Sequence, residues 1–392
     1  VRTVREGKAF GFIELTDGTA FRPVQIVYAN DERNLGQNLT TGCAIAVKGE
    51  LRPIISAKLP VEDPVLWNGR KNPYLYTVRC EIFDSTTEEV TDNIDIRTGL
   101  REYHIDSHKG FFLNGEHIKL QGVSRHQDRE NMGNAITEKQ HAEDVKIILD
   151  VGANSVRLAH YQQNSYFYDL CDESGLLVWA EVPVISRFSP KRNENAEQQL
   201  VELIKQNYNH PSIFCWGIEN EITIAGSASK KLITFLKHMH KVARHLDPTR
   251  YTTCAQLTMC PVNSPLNHIT DIIGYNHYYG WYMGSCDEIN NWLDEWHREN
   301  PEGKLCLSEY GAEGITKYHS DSPVQGDYSE DYQAIYHEHY IKSINERDWL
   351  WGSYVWNMFD FGSASRNEGG VRGRNNKGLV TFDRKTKKDA FW

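Results

Sequence analysis

From about residue 111 onward, the sequence switches again and again between a short apolar run and a longer amphipathic stretch. The short runs fall at 118–123, 155–160, 177–182, 213–218, 251–256, 272–278, 304–308 and 351–358. Helical patterns lie between most of them, at 138–150, 165–174, 196–207, 228–245, 288–300 and 330–347. Strands separated by helices pair in parallel, because each helix carries the chain back to the starting edge. Eight such units predict a (β/α)8 barrel. The short link between the fifth and sixth strands predicts a missing or degenerate helix there.

Two β-rich stretches precede the barrel. Residues 1–52 alternate in short strands separated by turn signals such as Asp17-Gly18 and Asn30-Asp31, which reads as a small partial barrel. Residues 57–107 alternate more clearly, above all in Tyr74-Leu-Tyr-Thr-Val-Arg-Cys-Glu-Ile-Phe83, and predict a partial immunoglobulin-like β-sandwich. The expected organisation is therefore 1–52, 57–107 and a catalytic barrel over 108–392, an α/β fold overall.

Composition narrows the function. The net charge of -10 argues against a nucleic-acid coat or a membrane-surface binder. No apolar run approaches the ~18 residues of a membrane span. No secretion signal opens the chain, and the eight cysteines form no CxxC pair, so reduced thiols and a cytoplasmic location are expected. Ten Trp and 20 Tyr are many for this length, and such rings stack on sugar faces as well as filling cores.

A barrel keeps its chemistry where the strands end at the C-terminal face. The fourth strand ends Trp216-Gly-Ile-Glu-Asn-Glu221, and the seventh ends Leu307-Ser-Glu309-Tyr-Gly. Both are apolar runs closing on a carboxylate, and both face the same mouth. Two carboxyl groups across one pocket are what glycosidic bond cleavage needs: one protonated to release the leaving group, one ionised to attack the anomeric carbon. Glu219 is a decoy, because a strand points residues two apart the same way. Residue chemistry alone does not choose between Glu219 and Glu221.

These residues match a known family. The stretch Asn209-His-Pro-Ser-Ile-Phe-Cys-Trp-Gly-Ile-Glu-Asn-Glu221 resembles the acid/base signature of glycoside hydrolase family 2, and Leu307-Ser-Glu309-Tyr-Gly resembles its nucleophile segment. The resemblance covers about residues 57–392. It implies a retaining exo-β-glycosidase with Glu221 as acid/base and Glu309 as nucleophile. It further implies that Asn220 binds the sugar 2-hydroxyl and that Tyr278 hydrogen-bonds the nucleophile. Arg157 and His160 would support the pocket, with Arg157 keeping the nucleophile ionised and His160 reaching hydroxyls. His126 and Asp128 would bind hydroxyls of the terminal sugar, and Trp356 would form an aromatic floor. Trp281 and Tyr282 fit either lid packing or substrate contact.

Two departures bear on substrate. Ile185 and Arg187 stand where long metal-dependent β-galactosidases have a Glu and a His, so no metal is expected. Asn375-Asn-Lys377 fits the Asn-x-Lys pattern that clamps a carboxylate in β-glucuronidases, so Lys377 is a candidate for binding a uronic acid. The wording around it, and Arg125-His-Gln-Asp128, resemble metal-independent bacterial β-galactosidases more. The expected substrate is therefore a β-galactoside or related β-glycoside, with a β-glucuronide as the alternative. No cofactor is expected, and oligomeric state is left open.

Residues 1–52 instead resemble the OB-fold anticodon-binding domain of asparaginyl-tRNA synthetase, through Val1-Arg-Thr-Val-Arg-Glu-Gly-Lys-Ala-Phe-Gly-Phe12 and Val47-Lys-Gly-Glu50. That resemblance implies single-stranded nucleic acid on Arg5, Phe10 and Phe12. With no last strand and no synthetase catalytic domain, the expectation is a chimeric join rather than a nucleic-acid partner. The rival to an enzyme is then a truncated, non-catalytic protein, and weak or absent activity is expected of the chain by itself.

Overall fold

The computed structural model describes residues 60–84 and 87–392, together with the backbone of three strands, Thr3–Glu6, Phe10–Leu15 and Val24–Ala29. Those three strands form an antiparallel sheet in sequence order. The stretch 47–50, part of the OB-fold resemblance, lies outside the described residues. The chain separates into Val1–Glu62 and Asp63–Trp392.

The second unit is built on a closed parallel barrel of eight strands in sequence order. These are β1 (Leu120–Ser124), β2 (Ser155–Leu158), β3 (Leu177–Glu181), β4 (Ile213–Asn220), β5 (Tyr251–Leu257), β6 (Ile272–Asn276), β7 (Leu305–Tyr310) and β8 (Gly352–Val355). Six helices lie among them: α1 (Glu138–Asp150), α2 (Ser165–Ser174), α3 (Asn193–Asn207), α4 (Lys230–Leu246), α5 (Glu288–Glu299) and α6 (Glu330–Asn345). In α4 the apolar positions recur at helical spacing, so Leu232, Phe235, Leu236, Met239 and Ala243 are buried on one face. The Ser229 side chain accepts from the Leu232 amide and starts the helix. The expected gap after β5 holds only a single 3-10 turn, Pro265–His268. After β8 the described chain forms a hairpin, β9 (Phe361–Glu368) and β10 (Val371–Asn375), in place of a helix.

The barrel interior is filled by unequal partners. Trp179 on β3 points inward and is fully buried. It fits because Gly217 and Gly274 face it: a Cβ at Gly217 would stand 2.5 Å from Trp179 Nε1, and one at Gly274 2.9 Å from its ring. Interiors packed to this density tolerate no extra carbon at such points.

Residues 57–107 were expected as a partial β-sandwich, and the antiparallel β character expected there is present. The structure shows two short antiparallel pairs, Trp67–Asn68 with Asn72–Pro73 and Tyr76–Phe83 with Val90–Thr98. From Asp63 onward this stretch belongs to the same compact unit as the barrel. The reason is apolar burial: Trp67, Ile105, Phe111 and Leu113 share one cluster with Leu120, Trp179, Phe214 and Trp351. Polar contacts reinforce it. Trp67 Nε1 donates to the Asp172 carbonyl at 2.8 Å, and the Tyr103 hydroxyl donates to the Phe214 carbonyl at 2.7 Å. The Arg101 guanidinium donates to the carbonyls of Pro211 and Ile213 at the start of β4.

Trp67 is 0% exposed and bridges these layers. Replacing it by Ala is expected to cost about 3–5 kcal/mol. A urea titration checks this, with a lower midpoint and an unchanged slope expected.

Candidate active site

Strand β4 delivers two acidic residues to different places. Its pairing with β5 shifts register between Gly217 and Glu219, which breaks the simple alternation that made Glu219 and Glu221 look equivalent. Glu219 is 1% exposed; it accepts from Gln256 Nε2 at 2.9 Å and from the Ile222 amide at 3.1 Å. Burial pushes its carboxyl up to about 8. Glu221 lies one residue past the strand with a left-handed φ of 49° and lines an open cavity of about 570 Å³. The structure thus places Glu221, and not Glu219, at the cavity. Burial, and then the charge of Glu309, push the Glu221 carboxyl up to about 7.

Glu309, near the end of β7, is 4% exposed and lines the same cavity. Arg157 Nη1 donates to its Oε1 at 2.9 Å, and the Tyr278 hydroxyl donates to its Oε2 at 2.7 Å. His160 Nε2 lies 3.8 Å from Oε1. Arg157 is itself fully buried. Its Nε donates to Glu181 Oε2 at 2.9 Å, its Nη2 to Glu181 Oε1 at 3.2 Å and to Asn220 Oδ1 at 2.7 Å. The His160 Nδ1 lies 2.6 Å from Glu181 Oε1. Burial opposes ionisation of Glu181, but the Arg157 charge and His160 outweigh it and hold its carboxyl below the usual range. Asn276 closes the circuit, donating from Nδ2 to Asn220 Oδ1 at 3.2 Å and to Glu221 Oε1 at 3.1 Å.

Aromatic rings shape the floor. Trp356 lines the cavity and stacks on His160 with centroids 5.0 Å apart. His126 stands behind them, edge-on to Trp356 at 5.4 Å. Burial, aided by the charges of His160, Arg157 and Arg125, pushes the His126 imidazole down to about 3, so it is neutral.

The opposite wall carries charge. Glu313 is 0% exposed and accepts from Lys377 Nζ at 3.1 Å, Arg366 Nη1 at 2.5 Å and the Asn376 amide at 3.2 Å. Burial opposes its ionisation, yet Lys377 and Arg366 hold its carboxyl below the usual range. Lys377 Nζ and Arg366 Nη2 each also donate to the Tyr282 hydroxyl oxygen at 2.6 Å.

Of the residues expected from sequence, Glu221, Glu309, Asn220, Tyr278, His160 and Trp356 line one cavity. Arg157 and His126 stand behind that lining. Lys377 is buried against Glu313 and reaches the cavity through Tyr282, which lines it. Asp128 is not part of the lining; its Oδ2 accepts from the Gly362 amide at 2.9 Å and ties down β9. Sequence reasoning missed Glu181, Asn276, Glu313 and Arg366. Glu181 and Asn276 close β3 and β6, so the strand-end search that found Glu221 and Glu309 would have found them too. Glu313 and Arg366 sit in loop and hairpin, where no periodic signal marks them.

With this geometry in hand, sequence models of two domains match the chain: "Glycosyl hydrolases family 2, TIM barrel domain" over residues 105–392, and "Glycosyl hydrolases family 2" over residues 19–101. The chain belongs to glycosyl hydrolase family 2. It is 41% identical to a β-glucuronidase of Bacteroides fragilis, over 99% of this chain and 54% of that one. It is 50% identical, with a TM-score of 0.82, to the crystal structure of an FMN-binding β-glucuronidase from Facaelibacterium prausnitzii L2-6, over 84% of this chain and 51% of that one. A Bacteroides fragilis crystal structure provisionally named β-galactosidase is 41% identical, with a TM-score of 0.79, over 84% of this chain and 49% of that one. The chain thus spans about half the length of these relatives. No helix among the described residues is long and apolar enough to cross a membrane.

These findings correct the reading of the N-terminus. The family match begins at residue 19, inside the stretch that resembled an anticodon-binding domain, and the Bacteroides relative aligns over nearly the whole chain. The OB-fold resemblance is not supported. Short alternating strands with Gly-rich turns are common to many small β units, and this is why the pattern misled.

The electrostatics can be checked directly. In carbon-13 NMR, the Glu221 carboxyl is expected to titrate near 7. In Glu309→Gln it should titrate lower, because the neighbouring negative charge is gone.

Proposed function

We propose that this chain carries the catalytic barrel of a retaining β-glycosidase whose substrate is a β-glucuronide. The observation that carries the glycosidase reading is one cavity lined by a carboxyl raised to about 7 and by a second carboxylate compensated by Arg157. At neutral pH a large share of Glu221 is protonated and available as acid. Glu309 attacks the anomeric carbon while Glu221 gives its proton to the leaving oxygen, leaving a glycosyl-enzyme ester. Formation of that ester removes the Glu309 charge, one of the causes of the raised Glu221 pKa. Glu221 is then the stronger acid, sits ionised, and takes a proton from the water that attacks the same carbon. Two inversions restore the starting configuration. Asn220, oriented by Arg157 and Asn276, is placed to bind the 2-hydroxyl.

The choice of sugar rests on two supports. Relatives at 41% and 50% identity are named β-glucuronidase, which favours the alternative over the β-galactoside first expected. The Tyr282 hydroxyl at the cavity wall accepts from two cations, Lys377 and Arg366, so its own hydrogen is left to donate to an anionic substituent. The β-galactoside reading keeps one specific observation, namely that Glu313 already offsets part of that positive charge.

Hydrolysis of matched aryl β-glucuronide, β-galactoside and β-mannoside tests both parts, with Glu309→Gln as the blank. The glucuronide is expected to exceed the galactoside in kcat/KM by about 100-fold, the order of one or two charge-assisted hydrogen bonds. Cleavage of the galactoside alone would overturn the substrate assignment. With glucuronides of poor leaving groups, kcat should fall as pH rises through about 7, because the protonated form of Glu221 is being lost. The same limb should vanish in Glu221→Gln.

A further inference from the structure

Past the end of β3 the chain stays paired with the end of β4. Ile185 bridges to Asn220 in parallel register. The Asn220 amide donates to the Val184 carbonyl at 2.9 Å, and the Ser186 amide donates to the Asn220 carbonyl at 3.0 Å. The Ala225 amide then donates to the Ser186 carbonyl at 3.2 Å. Residues 184–186 are therefore held against the segment that carries Glu221. Ser186 turns the chain with a left-handed φ of 59°, and Arg187 follows it. Ile185 lines the catalytic cavity and also a second cavity beside it, of about 360 Å³. In the proposed reaction Glu221 meets the leaving oxygen, so the part of a substrate beyond that oxygen lies on the side of these two segments.

The second cavity is lined by Arg187, Lys191 and Arg192 and by no carboxylate. All three cations are exposed, and none has an ion-pair partner among the described residues. In a chain with a net charge of -10 this is an exception. Among the described residues, only Arg187, Arg192 and Arg372 have a guanidinium with neither a hydrogen bond nor an ion pair. Two of those three meet at this cavity. Lys191 and Arg192 also precede the first residue of α3, where the partial positive charge of a helix start favours acidic residues and disfavours basic ones. Like charges gathered there repel one another, and an anion between them relieves the repulsion. The cavity wall includes Val184 and the rings of Phe188 and Phe235, whose centroids lie 5.6 Å apart. Apolar walls focus the field of the cations into the space they enclose.

We propose that this second cavity is a leaving-group subsite for an anion, in which a sulfate or carboxylate carried by the aglycone is held by Arg187, Lys191 and Arg192 while Glu221 protonates the glycosidic oxygen. The proposal rests on the retaining β-glycosidase reading of the adjoining cavity and adds to it the chemical class of the leaving group. It does not depend on which sugar is cleaved.

The test uses aryl β-glycosides of the sugar that the unmodified protein cleaves. The ring carries a sulfate ester, a carboxylate or a neutral amide at the end of a two-carbon spacer, so that the acidity of the phenol is the same in all three. The better of the two anionic substrates is expected to exceed the neutral one in kcat/KM by about 10-fold, mainly through KM, and which of the two it is identifies the anion. Salt at about 0.5 M should bring that ratio toward one, because exposed charges are screened. The triple variant Arg187→Gln, Lys191→Gln, Arg192→Gln should do the same at low salt, and Arg187→Gln alone should lower the ratio by about 3-fold. A ratio near one in the unmodified protein, or a ratio that survives the triple substitution, overturns the subsite and leaves the glycosidase reading standing. Cleavage of none of the three is instead a failure of the glycosidase reading. Calorimetry with the free sulfated phenol then decides the anion site by itself: binding lost in the triple variant supports it, and no binding overturns it.

Discussion

A single buried guanidinium organises this site. Arg157 sits inside the barrel with no exposure to solvent, a position that costs several kcal/mol unless charge and hydrogen bonds are matched. They are matched by Glu181, Glu309, Asn220 and the Ser308 carbonyl, contributed by β3, β7 and β4. One side chain on β2 therefore fixes Glu309, Asn220 and Glu181, the partner of His160, relative to one another. Because all of them stand on barrel strands rather than on loops, the constellation inherits the rigidity of the sheet.

The acid side of the site depends on a different device. Glu221 does not belong to the regular part of β4. The register shift and the left-handed φ lift it off the strand, while Glu219 beneath it bonds the following amide. The environments of Glu221 and Glu309 then diverge: burial and a neighbouring negative charge for the first, a guanidinium contact for the second. Divergent surroundings for two like groups are what the proposed division into acid and nucleophile would require. The cluster of Lys377, Arg366 and Tyr282 follows the same logic, with buried Glu313 offsetting its positive charge.

The barrel was legible because eight apolar runs alternating with amphipathic stretches admit few other arrangements. The pairing of Glu221 and Glu309 at one cavity was legible because a barrel directs attention to strand ends. Three features were not. The choice of Glu221 over Glu219 depended on a broken register. How the chain from Asp63 onward packs against the barrel depended on Trp67, Ile105, Phe111 and Leu113 meeting Trp179, Phe214 and Trp351. The charge of Lys377 read as free in the sequence, whereas Glu313, far away along the chain, accepts from its Nζ. The first 52 residues show the opposite failure, since a short strand pattern resembled an OB-fold and the longer alignment does not support it.

By itself, then, the sequence determined the class of fold, the strand-end positions of the two carboxylates and the family to which they point. Local periodicity and strand ends are written in neighbouring residues, and those residues are enough to read them. The tertiary structure decided which carboxyl faces the cavity, what offsets each buried charge and which residues line the cavity together. Those outcomes depend on distances between side chains from different strands and loops, and no local pattern encodes such distances.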